Sequence, residues 1–294
     1  MAAVETGDPG NSTLRDFHVP LSVSSFGLTD RGRVRETNED QFLIATLVKA
    51  LQIQQASFPQ ATIQHSSDRS HLFIVADGIG GHAAGEQASA LAIHSVESFI
   101  LETFKWFVEL EGQEQDAVLA DFQNALGQAN AEVLTEGAAH AELRGMGTTM
   151  TLAYSQNDVL FVAHVGDSRC YLCRRGVLHR LTRDHTLVDA MVRKGVLSPE
   201  AAATHRLRHV ITNFIGGNAP EVDVEMHKIR LESGDQVLLC SDGLTGEVPD
   251  EAILKVLNEA QPEQACRRLV ALANDARGAD NITAVVARFD VVGA

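Results

Sequence analysis

The chain has 294 residues, 45% of them apolar, and a formal net charge of −15 from 24 Lys and Arg against 39 Asp and Glu. That length is ample for a proper core, and the apolar share is that of a folded soluble domain. The acidity argues against a nucleic-acid partner, which would need a basic face, and suits cation binding, although most surface carboxylates simply solubilise.

Residues 1–20 are polar, carry Gly, Asn, Ser, Asp and Pro, and read as a flexible N-terminal arm without a signal-peptide stretch. Strands are predicted at 21–30 and 41–48, with a Gln- and Ser-rich hairpin loop or insertion over 49–70. Leu72–Ala76 begins the first strongly buried strand, 72–77. Gly80-Gly81 then precede a helix over 82–107, whose apolar positions Ala84, Ala88, Leu91, Ala92, Val96, Phe99 and Ile100 recur at helical spacing. A second helix over 115–136 shows Val118, Leu119, Phe122, Ala125, Leu126, Ala129 and Val133 on one face. Strands follow at 147–155, 159–166, 169–174 and 177–181, with short helices near 185–194 and 198–204. Strands at 222–231 and 235–241, helices near 250–260 and 262–275 and a last strand at 281–290 complete the chain.

This is not regular βαβ alternation. It suits an α+β layering of two antiparallel sheets with helices outside, as one domain over 21–294. Cys170 and Cys173 sit three apart in one predicted strand and so face opposite sides, which argues against a zinc pair. Free thiols fit a reducing compartment, and no apolar segment is long enough for a bilayer. A soluble cytoplasmic protein with no membrane partner is expected.

Four acidic motifs stand at the ends of apolar runs: Asp77-Gly78, Gly166-Asp167-Ser168, Ser241-Asp242-Gly243 and Asp280-Asn281. Three strands arrive at these carboxylates and one leaves, so an antiparallel fourth strand would gather all four. Carboxylates held together repel unless cations neutralise them, which points to a multi-metal site for hard divalent ions.

Those motifs, with Arg35-Glu36-Thr37-Asn38-Glu39-Asp40, Asp77-Gly78-Ile79-Gly80-Gly81-His82, Gly147-Thr148-Thr149 and Asp280-Asn281-Ile282-Thr283, occur in order over about 22–290. Together they resemble the metal-dependent serine/threonine protein phosphatases of type 2C (PPM), in the compact bacterial form. Each motif alone is weak: Asp-Gly is common in turns, and Gly-Thr-Thr is almost uninformative. The resemblance implies a four-layer αββα sandwich and hydrolysis of protein phosphoserine or phosphothreonine by a hydroxide bridging two Mn²⁺ or Mg²⁺ ions. It implies phosphorylated protein substrates, opposition to a bacterial-type Ser/Thr kinase and a monomer.

By position, the resemblance makes Asp77 the bridging ligand, the Gly78 carbonyl a ligand of the second metal, and Asp242 and Asp280 ligands of the first. Glu39 and Asp40 would act through metal-bound waters, Asp167 would hold a third, weaker ion or merely cap a turn, and Arg35 would grip the substrate phosphate. Arg31 and Arg33 flank Arg35, and only its offset from Glu39-Asp40 selects it. Ile79 stands where the animal branch has a histidine thought to protonate the leaving group; His82 could serve, or could cap or pack, with a metal-bound water instead. Residues 183–220 correspond to the family's flap beside the catalytic groove, with Arg183, Arg193, Lys194, Arg206 and Arg208 either solvated or facing a phosphoprotein. His164 reads as a core histidine. The rival functions are a pseudophosphatase that only binds phosphoproteins, and another two-metal hydrolase such as a nuclease.

Overall fold

The computed structural model describes residues 21–55, 57, 63–80, 83–102, 113–217 and 219–291. The predicted arm over 1–20 and the predicted acid His82 lie outside the described residues. The elements follow one another as β1 (Leu21–Asp30), β2 (Asp40–Gln52), β3 (Ile63–Ile79), α1 (Ala83–Glu102), α2 (Gln113–Ala139), β4 (Gly147–Thr148), β5 (Met150–Gln156), β6 (Val159–Val165), β7 (Arg169–Arg174) and β8 (Val177–Arg180). After these come α3 (Leu187–Arg193), α4 (Pro199–Ala203), β9 (Ile215–Gly216), β10 (Glu225–Arg230), β11 (Asp235–Cys240), α5 (Asp242–Thr245), α6 (Asp250–Glu259), α7 (Pro262–Ala276) and β12 (Ile282–Val291).

One antiparallel sheet runs β1-β12-β11-β7-β8; the other runs β10-β6-β5-β3-β4-β9, with β2 also paired to β3. Side-chain alternation explains the layers. In β3, Phe73 and Val75 enter the core between the sheets, whereas Leu72, Ile74 and Ala76 enter the core shared with α1 and α2. In β11, Val237 and Leu239 face the other sheet while Leu238 and Cys240 face α6 and α7. Cys170 and Cys173 divide between the same two cores. The result is the predicted αββα sandwich. Helix starts follow local chemistry: Pro199 and Pro262 occupy first-turn positions, and the Ser198 and Thr186 hydroxyls accept from Ala201 N–H and Asp189 N–H.

The stretch expected as a loop differs. β2 continues to Gln52 and β3 begins at Ile63, so much of 49–70 is a two-stranded ribbon, with a register shift between Val48 and Ala50. β3 pairs with β5 only over Ser70–Val75. Among the described residues no third strand pairs with the outer ribbon to bury an apolar face, and its sequence carries no strand-like alternation.

Candidate metal centre

The two sheets bring their strand ends together at one edge. Asp77, at the end of β3, is held by its backbone. Its N–H donates to Thr149 Oγ1 (3.0 Å), and its carbonyl accepts from Thr149 N–H (2.9 Å) and Thr148 Oγ1 (2.9 Å). The Gly147-Thr148-Thr149 run, uninformative as sequence, is thus the clamp on Asp77. At Gly78 a Cβ would collide with the Gly85 carbonyl, and at Gly85 a Cβ would collide with the Glu39 carboxylate. The Gly78 position requires glycine because backbone surrounds it, and a side chain at Gly85 would displace the Glu39 carboxylate.

Asp40 faces Asp77 across the β2–β3 ladder. Its Oδ2 accepts from Ser241 Oγ and Thr283 Oγ1, both at 2.7 Å, and its Oδ1 is buried with no hydrogen-bond partner. Asn281 ties the 31–39 loop to β12: its Oδ1 accepts Glu39 N–H (2.8 Å), and its Nδ2 donates to the carbonyls of Arg31 and Thr37. Asp242 begins α5, where Gly243 is pressed against the Asn281 carbonyl. Arg35 Nη2 lies 2.6 Å from Asp280 Oδ2. Arg31 instead donates to the Glu36 carbonyl, and Arg33 packs over Gly278.

A cavity of about 460 Å³ is lined by Arg35, Glu39, Asp77, Gly78, Asp167, Asp242 and Asp280 together. Asp40 sits off its wall, behind Asp77. Burial and then the neighbouring carboxylates, Asp40 first, push Asp77 well above the usual carboxylate range. Burial likewise raises Asp40 to about 7, against the opposing pull of the Ser241 and Thr283 hydrogen bonds. Asp167 is raised by burial and by Asp242, and its Oδ1 is also buried and unpartnered. Crowded carboxylates beside the Gly78 backbone, with Asp167 Oδ1 unpartnered, form an oxygen-rich donor set that fits hard divalent cations.

The protein phosphatase 2C family model matches residues 53–284. The chain belongs to the protein phosphatase 2C family. The serine/threonine protein phosphatase PstP of Mycobacterium tuberculosis is 35% identical over 275 residues, which are 93% of this chain and 46% of PstP. The chain thus spans about half the length of that relative. The serine/threonine phosphatase stp of Listeria monocytogenes is 31% identical over 90% of this chain and 94% of its own. A solved structure of the catalytic domain of PstP in complex with 2 manganese ions superposes with TM-score 0.71 and 32% identity, covering 92% of this chain and 99% of that one.

Other walls of this protein phosphatase 2C cavity were not singled out by motif. Arg208, His209 and Ile211 come from the flap, and Glu247 and Arg277 from beside α5 and α7. His209 Nδ1 is 3.8 Å from Asp242 Oδ2. Arg277 grips Glu247 with a two-pronged contact, Nε–Oε2 3.0 Å and Nη2–Oε1 2.9 Å. Of the flap's basic residues, Arg208 lines the cavity and Arg206 does not. The flap's apolar Phe214-Ile215 is packed down: Ile215 is fully buried in β9 against β4, and the Phe214 ring covers Gly147 and Gly217. Arg277 and Glu247 carry no local signature; only the fold brings them to the site. Among the described residues no helix is long and apolar enough to cross a membrane.

Proposed function

We propose that this chain hydrolyses phosphoserine and phosphothreonine in proteins and reverses the work of a Ser/Thr kinase. The observation that carries this reading is the convergence of Asp77, Asp167, Asp242, Asp280, the Gly78 backbone and the Arg35 guanidinium on one cavity. Asp77 would help to hold two divalent cations. The Gly78 carbonyl would complete one coordination shell, and Asp242 and Asp280 the other. Glu39 and Asp40 would orient coordinated water, and Asp167 would hold a third ion. Manganese is the first cation to try, because a relative of this fold is described with two of them. Such cations supply a water acidic enough to be deprotonated at neutral pH, and they offset charge on the phosphoryl group.

The protein's own part is positioning. Thr148 and Thr149 fix the Asp77 backbone, Asn281 fixes the loop that carries Arg35, and Arg35 presents a planar fork suited to phosphate oxygens. Arg35 now rests on Asp280; a phosphate dianion would compete for that guanidinium. The cavity floor is acidic, so the substrate's phosphate needs both cations and Arg35 before it can enter.

The test is hydrolysis of p-nitrophenyl phosphate and of a phosphothreonine peptide. Chelation should abolish both, and Mn²⁺ or Mg²⁺ should restore them. Asp77→Asn and Asp242→Asn should each lower the rate by orders of magnitude. Full turnover in excess chelator would remove the two-cation reading. Phosphopeptide binding without turnover at saturating Mn²⁺ would favour a pseudophosphatase.

A further inference from the structure

Behind the cavity lies a second group of side chains: His164, His185 and Glu225, whose ligand-type atoms all fall within 4.8 Å of one another. Their hydrogen bonds rule out a metal cage. His164 is fully buried; its Nε2 faces the carbonyls of Gly166 (3.0 Å) and Arg183 (2.9 Å), so it carries the proton, and its Nδ1 accepts from Thr151 Oγ1 (2.9 Å). His185 Nε2 faces Glu225 Oε2 (3.3 Å) and donates to it. Its Nδ1 then accepts, from Gly166 N–H (3.2 Å) and Asn213 Nδ2 (2.8 Å). No ring lone pair is left for a cation.

The same bonds point elsewhere. Gly166 is claimed at both polar atoms: its N–H by His185 Nδ1, its carbonyl by His185 N–H (2.7 Å) and by His164. It has φ +114°, and a Cβ there would strike Thr149, the residue that clamps Asp77. Asp167 follows at once, 7% exposed, with its unpartnered Oδ1 and a place on the cavity wall. On its other side His185 holds Asn213, whose amide pairs with both backbone groups of Asp223 (2.7 and 3.1 Å). The His185 carbonyl accepts from Thr212 N–H (2.8 Å) and Thr212 Oγ1 (3.0 Å), and Ile211, one residue earlier, lines the cavity. Glu225 is fixed in turn by His227 Nε2 (2.7 Å) and by the backbone and side chain of Arg183 (3.2 Å each).

We propose that His185 is a positioning residue: through Nδ1 it aims the Gly166–Asp167 turn at the cation site and latches the flap to that turn, while Glu225 fixes the tautomer that makes Nδ1 an acceptor. The inference rests on the reading of Asp167 as a cation ligand. The two ring nitrogens make it testable, because two amide replacements separate them. In His185→Asn the side-chain oxygen falls at the Nδ1 position and still accepts from Gly166. In His185→Gln the amide N–H falls at the Nε2 position, keeps Glu225 and loses Gly166.

Calorimetric titration of the full chain with Mn²⁺ is the primary readout. His185→Gln should weaken the loosest class of Mn²⁺ sites by roughly tenfold or more, as loss of a group orienting a ligand does. It should also raise KM for a phosphothreonine peptide more than it lowers kcat. His185→Asn should stay close to wild type in Mn²⁺ binding, with both melting temperatures recorded. Equal losses in the two variants would mean a merely structural residue and overturn the proposal, as would no loss in either. Asp167→Asn separates the two levels. If it removes the loosest Mn²⁺ class and His185→Gln does not, only the role of His185 falls. If Asp167→Asn changes no Mn²⁺ binding, the cation reading of Asp167 falls and takes this inference with it.

Discussion

Ser241→Ala and Thr283→Val should each loosen Mn²⁺ binding although neither residue is itself a proposed ligand. Both hydroxyls end on Asp40 Oδ2 at 2.7 Å, both residues are fully buried, and Asp40 Oδ1 is left buried without a hydrogen-bond partner. Thr283 ends a relay: Asn38 Nδ2 donates to Thr29 Oγ1 (2.8 Å), Thr29 to Thr283 Oγ1 (2.8 Å), and Thr283 to Asp40. A hydrogen bond to a charged group contributes about 1.5–3 kcal/mol. Since about 1.4 kcal/mol is tenfold in Kd, each substitution should cost roughly 10–100-fold in cation affinity, the range usual for groups that orient ligands. Losing either donor also lifts Asp40 further above its value of about 7, so the variants should need higher pH to bind Mn²⁺. The double variant should lose less than the product of the singles, because both bonds end on one atom. Calorimetry and the Mn²⁺ dependence of p-nitrophenyl phosphate turnover measure this directly. Wild-type Mn²⁺ affinity in a folded Thr283→Val protein would refute the argument.

Arg35→Ala should raise KM for phosphorylated substrates while Mn²⁺ binding stays intact or tightens, since Asp280 loses its ion-pair partner; wild-type kinetics would shift the phosphate role to Arg31 or Arg33. Arg208→Ala should reduce kcat/KM on a phosphoprotein more than on p-nitrophenyl phosphate, less so at high salt, and Arg206→Ala should do less because Arg206 is off the cavity wall. Equal effects on both substrates would mean that the metal site itself was disturbed. Stability should fall in mild acid through His164, whose imidazole is pushed down from 6.5 to about 4, by burial first and then by His185. The unfolded chain takes up that proton first as pH falls, so the contribution is complete above about 6.5 and is lost toward 4, at most about 3 kcal/mol. Urea unfolding of His164→Gln should be less pH-dependent than wild type across that range, and an identical slope would count against it.

Much of this was legible in the sequence because it was periodic or contiguous. The continuous apolar run at 72–76 and the helical spacing of Ala84 to Ile100 depend on near neighbours, and the structure buries those positions, Leu91 only partly. The acidic motifs were legible because each follows or precedes a buried run that ends at the same edge. What escaped was non-local. Ser241 and Thr283 stand inside the sequence motifs, but their role shows only when they meet Asp40, 201 and 243 positions away in the chain. In the outer β2–β3 ribbon Lys49, Ala50, Gln52, Ile63, Gln64 and Arg69 are exposed, so these positions show no apolar pattern to betray it. The short helix α5 is one turn whose Asp-Gly start reads as a turn, and it forms where Gly243 fits beneath Asn281.

β1 lies along β12 over ten consecutive partners, Leu21 with Val291 through to Asp30 with Ile282. The earliest described strand thus waits for the latest before it can dock, and Asp280 and Asn281 stand at the head of that final strand. A ribosome must release residue 291 before the sheet can close, and a sheet built on such distant pairings forms slowly. Until then Asp77, Asp40 and Asp242 lack Asp280 and the Asn281 bonds that tie the 31–39 loop to β12. Cation capture should therefore be among the last events in this protein's synthesis, and a chain cut short before β12 should be unable to dephosphorylate anything.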